Sequence, residues 1–124
     1  MSPLSPSQAL QHLLDGNDRF LSGDLRVQQV TASDLAKHSE HQQPFAIVLT
    51  CSDSRVPVER VFDVGLGQIF VVRVAGNIVS PEVLGSIEFG VNVLRAPLVL
   101  VMGHSDCGAI RGALNRQHAE MDSE

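Results

Sequence analysis

The chain has 124 residues, of which 44% are apolar and 19% charged, and its formal net charge at pH 7 is −5. This length and composition predict a single globular domain over residues 1–124 that can bury a core without disulfide bonds. The negative charge argues against nucleic acid as a partner, no apolar stretch is long enough to span a membrane, and the N-terminus lacks the pattern of a signal peptide, so we expect a cytoplasmic location.

Apolar periodicity predicts helices and strands that alternate along the chain. The first helix is expected over residues 6–21, with Ser5 as its N-cap, and a short one follows at 33–38. Strands are expected at 45–50, 69–74 and 97–103, and the continuous apolar runs of the first and third predict strands that are buried. Helices at 57–63 and 81–94 separate the strands, and a last helix begins near residue 106.

This alternation predicts an α/β fold with a parallel β-sheet core flanked by helices. Within the domain, residues 1–23 would form an N-terminal helical arm and residues 45–118 an α/β core. Sites in such sheets form outside the carboxyl ends of the strands. The residues that directly follow the strands are therefore the first candidates for a functional site.

The two cysteines, Cys51 and Cys107, are the only thiols of the chain. A structural disulfide is not expected in a cytosolic protein. Metal binding or catalysis is one interpretation, and two buried thiols that pack as small apolar groups are the other.

Polar residues of the kinds that bind metals follow the first and third predicted strands. "CSDSR" begins at Cys51, and "HSDC" ends at Cys107 and includes His104. Two thiolates and one imidazole brought together by neighbouring strands favour zinc with an open fourth position, which is typical of a catalytic site. A capping histidine beside a packed cysteine, a Cys–His nucleophilic pair and a thiol redox site remain as alternatives, although the redox site would lack the usual C-x-x-C motif.

Asp53 and Arg55 lie two residues apart beside the predicted metal site. The carboxylate of Asp53 could be the fourth metal ligand, or it could accept a hydrogen bond from a metal-bound water, with Arg55 holding it in a bidentate pair. A purely structural ion pair at the end of a strand is the alternative.

Four segments together resemble the β-class carbonic anhydrases, and in particular their plant-like branch. They are "CSDSR" at 51–55, "GQIFVVRVAGNIV" at 67–79, "GSIEFGVNVL" at 85–94 and "HSDCGA" at 104–109. The resemblance extends from about residue 42 to 114. It implies zinc-dependent, reversible hydration of carbon dioxide to bicarbonate and a proton by a zinc-bound hydroxide.

The resemblance also assigns roles to individual residues. One zinc ion per chain would be bound by Cys51, His104 and Cys107. Asp53 and Arg55 would form the catalytic dyad, with Asp53 taking the fourth metal position in a closed state. The substrate site would include Gln42, which reaches across a subunit interface, and a pocket wall formed by Phe70, Ala75 and Gly108. The family partner is a second copy of the chain, in a homodimer or a higher homo-oligomer.

Two departures from the family pattern qualify these implications. Arg73 matches an arginine of an inhibitory bicarbonate site in another branch, but Val48 replaces the tryptophan of that site, so such regulation is not expected. The chain also lacks about the C-terminal third of a typical member. It could be a fragment, a truncated, catalytically inactive homologue that binds zinc or oligomerises, or a compact form completed by oligomerisation. A three-stranded sheet would leave a strand edge unpaired.

Overall fold

The computed structural model describes the backbone of residues 4–122 and the side chains of residues 4–117. Helices and strands alternate in it as the sequence predicts. In chain order they are α1 (Pro6–Ser22), α2 (Ala32–Lys37), β1 (Ala46–Cys51), α3 (Val58–Val61), β2 (Ile69–Val74), a 3₁₀ turn (Ala75–Asn77), α4 (Pro81–Asn92), β3 (Val99–Val101) and α5 (Gly108–Asp122). The predicted α/β class is confirmed.

The three strands form one parallel sheet in the order β2-β1-β3. The central strand β1 pairs with β2 along its whole length, from Ala46 opposite Ile69 to Cys51 opposite Val74. All six residues of β1 are buried. Because β1 and β3 are neighbours and run in the same direction, the loops that follow them leave the sheet side by side.

The prediction that the third strand is long and buried is wrong. β3 has only three residues, which pair with Ile47, Val48 and Leu49, and both Val99 and Val101 are exposed. The physical reason is position, since β3 lies at the edge of the sheet and has β1 as its only neighbour among the described strands. An apolar run alone does not distinguish a central strand from an edge strand.

Two apolar clusters cover the faces of β1. On one face, Ala46 and Val48 pack with Leu13 of α1 and with Val58 and Phe62. On the other face a separate cluster is formed by Ile47, Leu49, Val72, Val83 and Ala96. Side chains alternate between the faces of a strand, so neighbouring residues of β1 belong to different clusters.

Helix α1 is well delimited and packs closely on α3. Ser5 and Gln8 form a capping box at its start, and Gly23 ends it in the left-handed conformation with φ 75°. A Cβ at Gly16 would overlap the carbonyl oxygen of Phe62, so only glycine permits this approach. The division into an arm over 1–23 and a core over 45–118 stays a prediction, and the predicted domain bounds extend beyond the described residues.

No helix within residues 4–122 is both long enough and apolar enough to cross a bilayer.

Candidate metal centre

Three potential metal ligands converge where the loops after β1 and β3 leave the sheet. One ligand atom each from Cys51, His104 and Cys107 lie within 4.8 Å of one another. The two Sγ atoms are 3.9 Å apart. Cys51 is buried and the other two residues are half-buried. Residues 56 positions apart in sequence therefore meet at one point because β1 and β3 are parallel neighbours.

The sulfur of Cys51 lies among groups that favour its thiolate form. Its Sγ accepts hydrogen bonds from the backbone N–H of Gly76 at 3.3 Å and of Asp53 at 3.4 Å. The Gly76 N–H, followed by the interaction with His104, lowers the pKa of the Cys51 thiol to about 6. Gly76 has φ 72°, a conformation that favours glycine, and this brings its N–H to the sulfur.

The imidazole of His104 presents a free lone pair to the two sulfurs. Its Nδ1 lies 2.8 Å from the carbonyl oxygen of Ser105. A carbonyl only accepts, so Nδ1 carries the proton and Nε2 of the neutral ring is bare. Nε2 is fully buried and has no hydrogen-bond partner among the described residues. Imidazolium can donate both to the Cys51 sulfur and to the Ser105 carbonyl, and these two groups raise the pKa of His104. A buried nitrogen without a partner, facing two thiol sulfurs, fits a cation among the three atoms.

Asp53 lies beside these ligand atoms but outside their group, and its two carboxylate oxygens are held by Arg55. The guanidinium donates from Nε to Oδ1 at 3.0 Å and from Nη2 to Oδ2 at 2.7 Å, and the Arg55 backbone N–H adds a bond of 2.8 Å. Arg55 holds the pKa of the Asp53 carboxyl far below its usual range, and Asp53 in turn raises the pKa of Arg55. Oδ2 is 3.9 Å from His104 Nε2, so the ionised carboxylate borders the cluster.

Arg55 also connects the two loops that carry the cluster. Its Nη2 donates to the backbone carbonyl of Asp106 at 3.1 Å, across from the loop after β1 to the loop after β3. Asp106 has φ 58°, which aspartate tolerates better than most residues. One guanidinium therefore orients the Asp53 carboxylate and fixes the loop between His104 and Cys107.

Comparison with known proteins identifies the family. A family model described as carbonic anhydrase matches residues 46–124. The solved structure of the β-carbonic anhydrase CcaA has a TM-score of 0.65 and 29% identity, and the match covers 90% of this chain and 56% of that one. The chain belongs to the β-carbonic anhydrase family.

Two further relatives show how much of a family member is present. Carbonic anhydrase 2 of Mycobacterium tuberculosis is 43% identical over 114 residues, which are 92% of this chain and 55% of the relative. A tetrameric β-carbonic anhydrase of the ascomycete Sordaria macrospora has a TM-score of 0.62 and 30% identity, with coverage of 85% and 53%. The chain thus spans about half the length of the relatives it matches.

The residues expected to surround a β-carbonic anhydrase substrate fall into two groups in this fold. Ala75 precedes Gly76 in the turn beside the Cys51 sulfur, and Gly108 directly follows Cys107, so both are next to the ligand cluster, and both are exposed. Gln42 precedes β1 and lies in a cleft with Gln68 and Pro97, at the amino ends of the strands.

Phe70, like Gln42, lies away from the cluster within one chain. It pairs with Ile47, four residues before the last pair of the β1–β2 ladder, and its ring packs against Phe89 with centroids 5.9 Å apart. Four residues of strand span roughly 13 Å at ~3.3 Å each. The predicted substrate roles of all four residues, Gln42, Phe70, Ala75 and Gly108, stay predictions.

Sequence reasoning missed two residues of this β-carbonic anhydrase site. Gly76 has no predicted role, because its N–H contact with the Cys51 sulfur depends on a positive φ that residue types alone do not reveal. Arg73 enters the predictions only through a regulatory site that is not expected here, yet it donates to the backbone carbonyls of Cys51 and Asp53. A charged residue in the otherwise apolar strand "IFVVRV" was the available signal.

Proposed function

We propose that the chain binds one zinc ion through Cys51, His104 and Cys107 and catalyses the reversible hydration of carbon dioxide to bicarbonate and a proton. The observation that carries this proposal is the buried Nε2 of His104, which has no described hydrogen-bond partner and faces two thiol sulfurs. Two sulfurs and one imidazole nitrogen form a donor set that zinc prefers. Three protein ligands also leave one coordination position for a small molecule.

Zinc, when bound, lowers the pKa of a coordinated water from about 15.7 to about 7 and so supplies a nucleophile at neutral pH. Asp53 would orient that nucleophile. Its carboxylate is ionised and can only accept a hydrogen bond. It would accept one from the O–H of the attacking group, so that a lone pair of the same oxygen points toward the carbon dioxide. Arg55 keeps both oxygens of Asp53 occupied, which opposes direct binding of the carboxylate to the metal. This arrangement favours Asp53 as an orienting group over Asp53 as the fourth ligand.

The substrate side of the proposal requires a second copy of the chain. Gln42 lies at the amino ends of the strands, whereas the cluster lies at their carboxyl ends. Its expected contact with carbon dioxide or bicarbonate would therefore occur at the site of a partner. The proposal therefore includes a homodimer or a higher homo-oligomer, and the Sordaria macrospora relative is described as tetrameric. Ala75 and Gly108 would leave room for a small molecule beside the metal, since one has only a methyl side chain and the other has none.

The proposed compartment is the cytoplasm. Cys51 and Cys107 are both free thiols, and a reducing compartment keeps thiols available for a metal.

The test measures zinc content and carbon dioxide hydration on the same purified sample. We expect about one zinc per chain and stopped-flow hydration well above the buffer rate, and Cys51→Ser should lose both. Full zinc with hydration no faster than buffer would overturn the catalytic proposal and favour a zinc-binding homologue without activity. A chain that binds no zinc at all would contradict both.

A further inference from the structure

Arg73 makes three hydrogen bonds to the loop that carries half of the candidate site. This loop, residues 51–56, connects β1 to α3 and is called the Cys51 loop below. Arg73 Nε donates to the carbonyl oxygen of Cys51 at 3.0 Å, and Nη2 donates to those of Asp53 at 2.9 Å and Val56 at 3.1 Å. We propose that Arg73 is a positioning residue of the metal centre, which fixes the Cys51 loop so that the Cys51 sulfur and the Asp53 carboxylate keep their places.

The loop needs such a support because it leaves the sheet at this point. The last pair of the β1–β2 ladder is Cys51 opposite Val74, and the bond from Ser52 N–H to the Val74 carbonyl follows it. Beyond this bond the strands no longer supply partners for backbone carbonyls, and unpaired carbonyls near a core are costly. Arg73 is one residue from the end of β2, so its side chain can reach the carbonyls of the departing loop.

The three bonds hold the loop at both of its ends. The Asp53 carbonyl also accepts from the Val56 N–H at 3.2 Å, which closes a tight turn, and Arg73 binds the carbonyls at both corners of that turn. The Cys51 carbonyl is bound by the same guanidinium. The planar fork of arginine sets these contacts in fixed directions, which a flexible ammonium group does not do.

The backbone of Arg73 is held in the sheet, and its exposed side chain extends from there to the loop. It pairs with Thr50 within the β1–β2 ladder, and Thr50 is fully buried. Arg55 contacts the carboxylate of Asp53, whereas Arg73 contacts its backbone carbonyl. The two arginines thus have separate tasks in the Cys51 loop, since Arg55 orients the Asp53 side chain and Arg73 binds the main chain.

This inference rests on the proposed function for its catalytic meaning, but its test does not need activity. The probe is amide hydrogen exchange of the metal-free chain at three reporters in the Cys51 loop, namely the N–H groups of Asp53, Arg55 and Val56. Arg73→Gln should accelerate their exchange at least tenfold, while Val48 in the centre of β1 exchanges as before. Arg60→Gln is the matched control, because the exposed Arg60 guanidinium makes no hydrogen bond within residues 4–117 and the variant removes the same charge.

Zinc binding and catalysis supply the second readout. Outer partners of metal ligands typically contribute about 10- to 100-fold to metal affinity or activity. Arg73→Gln should therefore weaken zinc binding by about that factor in competition with a chromophoric chelator. If the chain hydrates carbon dioxide, kcat should fall with little change in KM, and Arg73→Lys should recover part of the loss.

The inference is overturned if the three reporters exchange equally in Arg73→Gln and Arg60→Gln, or if zinc affinity is the same in both. Should Arg73→Gln fail to fold, the same comparison is made with Arg73→Lys, where unchanged exchange and zinc affinity again contradict the proposal. A wild-type chain that binds zinc but hydrates no carbon dioxide would remove the proposed function and leave the positioning role of Arg73 to be decided by exchange and affinity.

Discussion

At the scale of single residues, two aspartates with similar partners have different tasks. Asp53 and Asp63 each pair with an arginine, and the pKa of each carboxyl is lowered. Asp53 is half-buried and borders the ligand cluster, with Oδ2 3.9 Å from His104 Nε2, so its charge can act on a bound molecule. Asp63 is buried in the packing between α1 and α3, where it accepts from Arg19 and from the backbone N–H groups of Arg26 and Val27. Its charge acts only on the fold.

Replacing Asp53 should separate catalysis from metal binding. In Asp53→Asn the amide nitrogen cannot accept, and the bidentate pair with Arg55 is lost. We expect kcat for hydration to fall by at least about 100-fold, the size of typical acid–base and orienting effects. Zinc content should stay at the wild-type value, because Asp53 lies outside the three-ligand group. Stopped-flow kinetics measures kcat, and metal analysis measures the zinc content.

Asp106→Asn is the control for this experiment, since its carboxylate bonds only Arg111 among the described side chains. It should retain nearly full kcat. A kcat above a tenth of wild type in Asp53→Asn, or a loss of zinc from it, would contradict the orienting role.

Replacing Asp63 should reduce stability and its dependence on pH. Asp63→Asn replaces one acceptor oxygen by an NH2 group, which removes either the acceptor shared by Arg19 and the Arg26 N–H or the acceptor of the Val27 N–H. We expect a loss of about 3 kcal/mol in the free energy of unfolding, typical of a broken buried pair. The lowered pKa of Asp63 adds stability above its unfolded value near pH 4, and this stability is lost as pH falls through the folded pKa. Wild type should therefore lose stability on acidification more steeply than the variant.

Urea unfolding at pH 7 and at a series of pH values below 4.5 measures this difference. Asp18→Asn, an exposed change on the same helix as Arg19, serves as the reference. Parallel pH profiles for wild type and Asp63→Asn would show that the carboxylate does not support the fold in this way.

At the scale of elements, the sequence predicts which residues meet but not how they are held. The alternation of predicted helices and strands, together with the motifs "CSDSR" and "HSDC", was enough to place Cys51, His104 and Cys107 at the carboxyl ends of neighbouring parallel strands. The short, exposed β3 was not predictable, because Val99 and Val101 have the composition of a buried strand and only the sheet order makes them an edge. The contacts of Gly76 and Arg73 were missed for a related reason, since backbone N–H and carbonyl partners leave little trace in residue types.

The 3₁₀ turn after β2 gives a test of such a backbone contact. A methyl group added in Gly76→Ala would lie 3.3 Å from Ala109 Cβ and 3.4 Å from Ile110 Cδ1, and the φ of 72° disfavours any residue with a Cβ. We expect a loss of about 2 kcal/mol in stability. Zinc affinity should also fall by about tenfold, because the Gly76 N–H moves away from the Cys51 sulfur.

Gly112→Ala is the matched control, since it lies in α5 with open space around the added methyl group. Alanine is favoured in a helix, so this variant should be as stable as wild type or more stable by up to ~1 kcal/mol. Equal thermal unfolding and equal zinc affinity of both variants would mean that the turn does not hold the sulfur.

At the scale of the whole molecule, large apolar side chains lie exposed on several elements of the described structure. Those at least two-fifths exposed include Phe89 on α4, Val93 just after it, Val99 and Val101 on β3, and Leu114 on α5. Contiguous exposed apolar surface marks contact sites between proteins. The proposed substrate role of Gln42 gives the same expectation, since Gln42 precedes β1 and the ligand cluster follows it, at opposite ends of the strands.

Self-association of the chain should therefore depend on β3, whose open edge offers both backbone groups and apolar side chains. Val101 is 62% exposed on this strand, and a lysine there places a charge on an edge that would otherwise pair or pack. We expect the wild-type chain to sediment as a dimer or larger species at micromolar concentration, and Val101→Lys to shift the mass toward the monomer. Val30→Lys makes the same change at a half-exposed valine between α1 and α2, and it should leave the mass unchanged. Association through β3 is refuted if the wild type sediments as a monomer over the whole concentration range, or if both lysine variants behave alike.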